Sequence, residues 1–192
     1  MAPKVKVTKE EIIKTTVELV RTNGQYAINA RAIASSLNCS TQPIFSNFES
    51  MEDLEQSTIL AAYEIYINFI QNEVQSGKYP KYKAFGMAYI RFAKDEKELF
   101  KLLFMRDRSD EEASLSPDFD ESVKMIMQAN SVSLETAQRM HFELWAFVHG
   151  IGTMLATSFM PLDWGTISTM LTDVYKGICA SHISEGKDNV CN

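Results

Sequence analysis

Residues 29–54, NARAIASSLNCSTQPIFSNFESMEDL, leave this chain little freedom in how it folds. Asn29 can cap a short helix whose Ile33 and Leu37 sit four apart on one face. Asn38 follows, a residue type that tolerates the left-handed conformation a tight helix exit needs. Ser40 is placed to cap a second short helix. Its first turn, Thr41-Gln42-Pro43, is polar and accepts proline because those amides have no intrahelical partner. Ile44 and Phe48 fall on the inner face of that helix, and a third helix starts near Met51. Two short helices joined by a tight turn, the second opening with small polar groups, make the helix-turn-helix layout that suits a DNA major groove.

The rest of the chain is read around that head. A hydrophobic fraction of 45% over 192 residues is enough for a sizeable core. No run approaches the roughly 18 apolar residues of a membrane span, and no signal peptide precedes the first helix. Cys39, Cys179 and Cys191 are too widely spaced for a metal or disulfide framework. These features predict a cytoplasmic protein with no membrane partner. Residues 1–48 carry six basic side chains against three acidic ones, so a total of −6 leaves −9 on the remainder. A basic head on an acidic body suits phosphate contact by the head alone.

In chain order, a basic arm with Lys4 and Lys6 precedes a capping box at Thr8-Lys9-Glu10-Glu11. Ile13, Val17 and Val20 stripe the helix that follows, and Asn23-Gly24 stops it. Ser50 to Asp53 caps a long helix running to about Ser76, with Leu54, Thr58, Ala61 and Ile65 on one face. No Pro- or Gly-rich linker separates head from body, so this helix belongs to both. Tyr82, Phe85, Tyr89 and Phe92 mark a fifth helix. Asp95 with Glu98 caps a sixth, carrying Leu99, Phe100, Leu103 and Phe104. After an acidic, polar loop over 107–118, Phe119, Val123 and Ile126 carry a seventh. Ser133 opens an eighth, which reaches Pro161, and Asp163 caps the last, which frays after Ser184. The chain is all-α, about nine helices, with residues 1–50 as the head and 51–186 as the body.

These residues resemble the TetR family of bacterial transcriptional regulators over essentially the whole chain. The likeness is strongest over 8–54, at Ile33-Ala34, Leu37, Ser40, Ile44-Phe45, Phe48 and Asp53-Leu54. In the body, Trp145-Ala146-Phe147-Val148-His149-Gly150 is similar to a Trp…His-Gly signature of one C-terminal subgroup. The family commonly has Tyr at Phe45, His at Asn47, Lys at Met51 and Gly at Asn38. Two phosphate contacts, from the Tyr hydroxyl and the Lys, are therefore missing here, which implies weaker non-specific affinity or compensation by the Lys4/Lys6/Lys9 arm.

A double-stranded DNA operator, a homodimer and a small apolar or aromatic effector are the partners this resemblance implies. On DNA, Gln42 can read adenine bidentately, Pro43 can touch a thymine methyl, and Ser46 or Asn47 can reach a base or a phosphate. Arg31, Ser40 and Thr41 suit phosphates, with Lys4 and Lys6, while Phe45 can cover the sugar-phosphate backbone. The resemblance also implies an effector chamber between the fourth, fifth, seventh and eighth helices. Tyr66, Met87, Tyr89, Phe92, Phe104, Phe142, Trp145 and His149 are its expected lining. It implies pairing of the last two helices with a second copy, through Gly152, Leu155, Phe159, Ile167, Leu171 and Val174. His141 and His149, eight apart with no carboxylate or Cys partner, make a poor metal site. The sequence shows no nucleophile–base pair, phosphate loop or other metal-ligand spacing, so neither a cofactor nor an enzyme is expected. The rival reading is a helical interaction module of the same fold without autonomous DNA binding, which Phe45, Met51 and the acidic net charge favour. Gln42→Ala is expected to weaken operator binding by about 1–3 kcal/mol while leaving random DNA unaffected, as read in a gel-shift titration.

Overall fold

The computed structural model describes residues 7–107 and 119–188. Among them are nine α-helices and no strand, which bears out the all-α expectation. They are α1 (Lys9–Asn23), α2 (Ala30–Ser36), α3 (Gln42–Asn47), α4 (Met51–Gln75), α5 (Lys81–Asp95), α6 (Lys97–Phe104), α7 (Phe119–Asn130), α8 (Leu134–Ala156) and α9 (Trp164–Asp188). A single 3-10 turn, Gln25–Ala27, which the sequence pattern did not suggest, joins α1 to α2. No described helix is long and apolar enough to cross a membrane. The expected basic arm, the 108–118 part of the acidic loop and Cys191 lie outside the described residues.

The helices gather into two compact units, and the division falls inside α4. One unit takes the chain to Asn68 together with Asp95–Asp107; the other takes Phe69–Lys94 and the helices from α7 onward. By this division α6 and most of α4 join the head helices.

In the first unit, Ile12, Ile33, Ala34, Ile44, Phe48 and Leu54 form one buried cluster. Leu37, Cys39 and Met51 pack against it. The Cys39 thiol thus takes the packing role its place in the turn suggests. Thr8 caps α1 reciprocally with Glu11, and Gly24, at φ +74°, ends it through a hydrogen bond to the Val20 carbonyl. α1 packs against α6 through Arg21. Its guanidinium donates to both oxygens of Glu96, at 2.9 Å each, and also pairs with Glu18. The planar fork fits a carboxylate at two points, which a lysine could not do. Glu96, rather than Asp95, is the residue before α6, and it makes no side-chain cap there because its carboxylate is committed to Arg21.

In the second unit, Val123, Ile126, Ala137 and Met140 cluster between α7 and α8, with Tyr82, Phe119, Ile178 and Cys179 against them. Gly86 lets α5 approach its neighbours closely: a Cβ there would come within 3.1 Å of Leu171 and 3.5 Å of Val148. Lys83 ties α5 to α9, donating to the Ser168 carbonyl and the Thr172 hydroxyl. α8 stops at Ala156, short of Pro161, because Ser158 turns left-handed at φ +56°. The Phe159 and Ser158 amides then bond back to Met154 and Leu155, the double closure of a Schellman end. α9 keeps helical backbone through Asp188, beyond the fraying point expected at Ser184.

Glu96→Gln removes the charge from a partly buried bidentate pair and is expected to lower stability by about 1 kcal/mol, discounted for the partial exposure of Arg21. Chemical denaturation should show this as a lower midpoint at unchanged slope.

Candidate functional site

Two short helices and the turn between them set the first candidate surface. Asn29 caps α2, its side chain accepting from the Ala32 amide at 2.9 Å. Asn38 exits α2 at φ +50°, and the Cys39 amide bonds back to the Ala34 carbonyl. α3 begins one residue later than the sequence placed it. Thr41, not Ser40, precedes it, and neither hydroxyl caps it; Pro43 sits in its first turn. Ile44 and Phe48 are buried in the head cluster, which fixes the roll of α3 about its axis. That roll leaves Gln42, Phe45 and Ser46 exposed, with Phe45 58% accessible, and Thr41, Pro43 and Asn47 half-buried. Ser40 and, on α2, Arg31 are exposed as well.

Hydrogen bonding separates the polar members of this set. The Ser46 hydroxyl donates to the Gln42 carbonyl at 2.8 Å, one turn back. The Asn47 amide donates to the Pro43 carbonyl at 2.7 Å and reaches the Val7 carbonyl at 3.5 Å. Both side chains expected to reach a base or phosphate thus spend their donors on backbone. Lys9, expected to assist at phosphates, lies 4.7 Å over the Phe48 ring. Lys4 and Lys6 fall outside the described residues.

The expected effector lining divides between the two units. Tyr66 and Phe104 belong to the first, in edge-to-face contact at 5.3 Å. The other six residues belong to the second. Of these, Met87, Tyr89 and Phe92 are buried on α5. Phe142 and Trp145, on α8, are 59% and 38% exposed. The buried line of α8 runs through Ala137, Met140, Leu144, Val148, Ile151 and Leu155. At 3.6 residues per turn, Phe142 and Trp145 lie to one side of that line, with Phe142 the more exposed of the two. They form a ladder with His149: Phe142 stacks on Trp145 at 6.0 Å, and Trp145 on His149 at 5.0 Å. His149 Nδ1 is hydrogen-bonded to the Tyr89 hydroxyl at 2.8 Å, which joins the ladder to the buried face of α5. His141 is bonded to Tyr82 in the same way, at 3.0 Å. Among the described residues, no cluster of three or more His, Cys, Asp or Glu side chains could hold a metal.

The residues expected at a subunit interface also separate. Gly152, Leu155, Ile167 and Leu171 are buried by the chain's own helices. Only Phe159, 77% exposed, and the half-buried Val174 remain reachable from outside. Sequence reasoning passed over Gly177 on α9, and the Arg21–Glu96 pair. A helix-interior glycine is visible in the sequence, but an ion pair spanning 75 residues leaves no local pattern.

Burial holds the His149 imidazole below its ordinary pKa of 6.5. The unfolded chain therefore binds the proton more readily. Stability tied to neutral His149 is complete above pH 6.5 and is lost as pH falls from there toward the lower folded value. Wild type should lose thermal stability below about pH 6.5 more steeply than His149→Gln, with acid quenching of the stacked Trp145 absent in that variant.

Residues 82–174 match the family model for the tetracyclin repressor-like C-terminal domain. That span begins in α5 and ends in α9, and it contains Tyr89, Trp145 and His149. No curated protein matches the chain. The matched segment thus belongs to the tetracyclin repressor-like C-terminal domain family, in keeping with a likeness to the TetR regulators.

Proposed function

We propose that the chain is a ligand-responsive, DNA-binding transcriptional regulator, a repressor. It binds a pseudo-palindromic operator as a homodimer and is released by a small apolar or aromatic effector. The observation that carries the reading is the roll of α3. Ile44 and Phe48 are locked into the head cluster, and the opposite face, with Gln42 and Phe45, is held out to solvent on a rigid base. Arg31 and the Ser40–Thr41 turn are the phosphate contacts that orient it.

Two-fold pairing through α8 and α9 supplies the second head. Gly150 and Gly177 sit inside these helices, and a Cβ added at either would meet open space within this chain. Glycine in a helix interior costs about 1 kcal/mol relative to alanine. Close approach of a partner's backbone accounts for retaining it. Phe142, Trp145 and Phe159 are exposed on the same part of the chain and supply apolar area, joined by Val174. Within the second unit, Met87, Tyr89 and Phe92 are the proposed effector lining. Release follows from displacement of α4, the helix that leads directly out of the head, when the effector binds. The effector must prefer the DNA-incompetent conformer, since equal affinity for both would shift nothing.

A second reading is an interaction module of the same fold without autonomous DNA binding. Phe45 favours it by lacking a hydroxyl for phosphate, and Met51 by packing on the head cluster where a cation would face DNA. Salt-dependent DNA retention discriminates the two, because counterion release gives a steep slope only to a phosphate binder.

Trp145→Glu and Gly150→Leu are expected to convert a dimer to protomers in sedimentation velocity and to abolish tight operator binding while leaving helix content intact. A wild-type chain that sediments as a single protomer at high concentration would overturn the dimeric reading.

A further inference from the structure

We infer that the operator half-site read by α3 is built of A·T pairs, with thymine methyl groups as its main determinant and no guanine contact. This rests on the DNA-binding reading above and names what that surface selects. In the major groove, guanine presents two acceptors, N7 and O6, and is read by donors, most often the forked cation of arginine. α3 and the two residues before it carry no Lys or Arg. The Ser46 hydroxyl and the Asn47 amide donate to the Gln42 and Pro43 carbonyls, with the Val7 carbonyl 3.5 Å from the Asn47 nitrogen, so neither side chain presents the forked donor pair that reads guanine.

What remains outward is one amide and two apolar groups. Gln42 is exposed, and a glutamine amide matches adenine, accepting from N6 and donating to N7. Pro43 is half-buried beside it, and Phe45 is 58% exposed one turn along. An aromatic ring without a hydroxyl gains nothing from a phosphate oxygen but gains dispersion and burial against the C5-methyl of thymine. Phe45 is therefore a specificity-determining residue, and its exposed surface is the part of the reading face that discriminates thymine from cytosine.

The test uses the full-length protein and duplexes selected from a random pool. The expected result is a half-site core of adenine and thymine at the positions α3 protects. Replacing single thymines there by deoxyuridine, which lacks only the methyl, should cost about fourfold in affinity per contacted base, the burial of one methyl group. Phe45→Ala should bind thymine and deoxyuridine equally at one position while retaining that discrimination at others, and Phe45→Leu should restore part of it. Selection of G·C pairs under α3, or equal affinity for thymine and deoxyuridine throughout in the wild type, overturns the inference. If no duplex is enriched and retention is insensitive to salt, the DNA-binding reading itself fails, an outcome distinct from the first two.

Discussion

A six-residue helix has no stability of its own; nucleation costs more than one turn and a half of hydrogen bonds return. α3 exists because Ile44 and Phe48 are seated among Ile12, Ile33, Ala34 and Leu54. The same seating fixes which way α3 faces. The anchor contributes stability and also aims the outer face, so every exposed side chain on α3 has its direction set by two buried ones. Substituting a residue on the outer face changes chemistry, while substituting Ile44 or Phe48 changes aim.

The head cluster is kept in place by more than its own helices. α6 packs on α1, and Arg21 grips Glu96 at two points across a long sequence separation. α6 also carries Phe104, whose ring meets Tyr66 edge-on. One short helix therefore bears an ion pair to α1 at its start and an aromatic contact to α4 at its end. That arrangement explains why the compact unit containing α1 to α3 reaches beyond α4 to include a helix some fifty residues later in the chain.

In the second unit, the balance between buried and exposed apolar surface on α8 bears most on function. Its buried line is spaced for packing against α7 and α9, and Val148 approaches α5 where Gly86 gives room. The Phe142–Trp145–His149 ladder lies off that line, yet it is tied inward through Tyr89. Nearby, His182 is buried and bonded to Glu143, a contact that holds the Glu143 carboxyl below the usual range and ties the end of α9 to α8. Both histidines link helices through hydrogen bonds, His149 to Tyr89 and His182 to Glu143.

Local signals in the sequence determined the helices themselves. The Thr8 capping box, Asn29 and Ser133 caps, the left-handed Asn38 and the Asp163 cap all depend on residues within four positions, and each forms as its spacing dictates. Apolar periodicity likewise marked the anchors of α3. Periodicity gives a face, but not what covers it. Phe142 and Trp145 have the same composition as a core stripe, whereas Leu155, Ile167 and Leu171 look equally suited to a partner. Only the packing of the helices against one another decided which stripe was enclosed. The same holds for Ser46 and Asn47, whose donors the fold turns back to backbone, and for Glu96, drawn from capping to Arg21 by a residue far away in sequence. Local propensity acts over one or two turns; burial and long-range pairing are set only when distant segments meet.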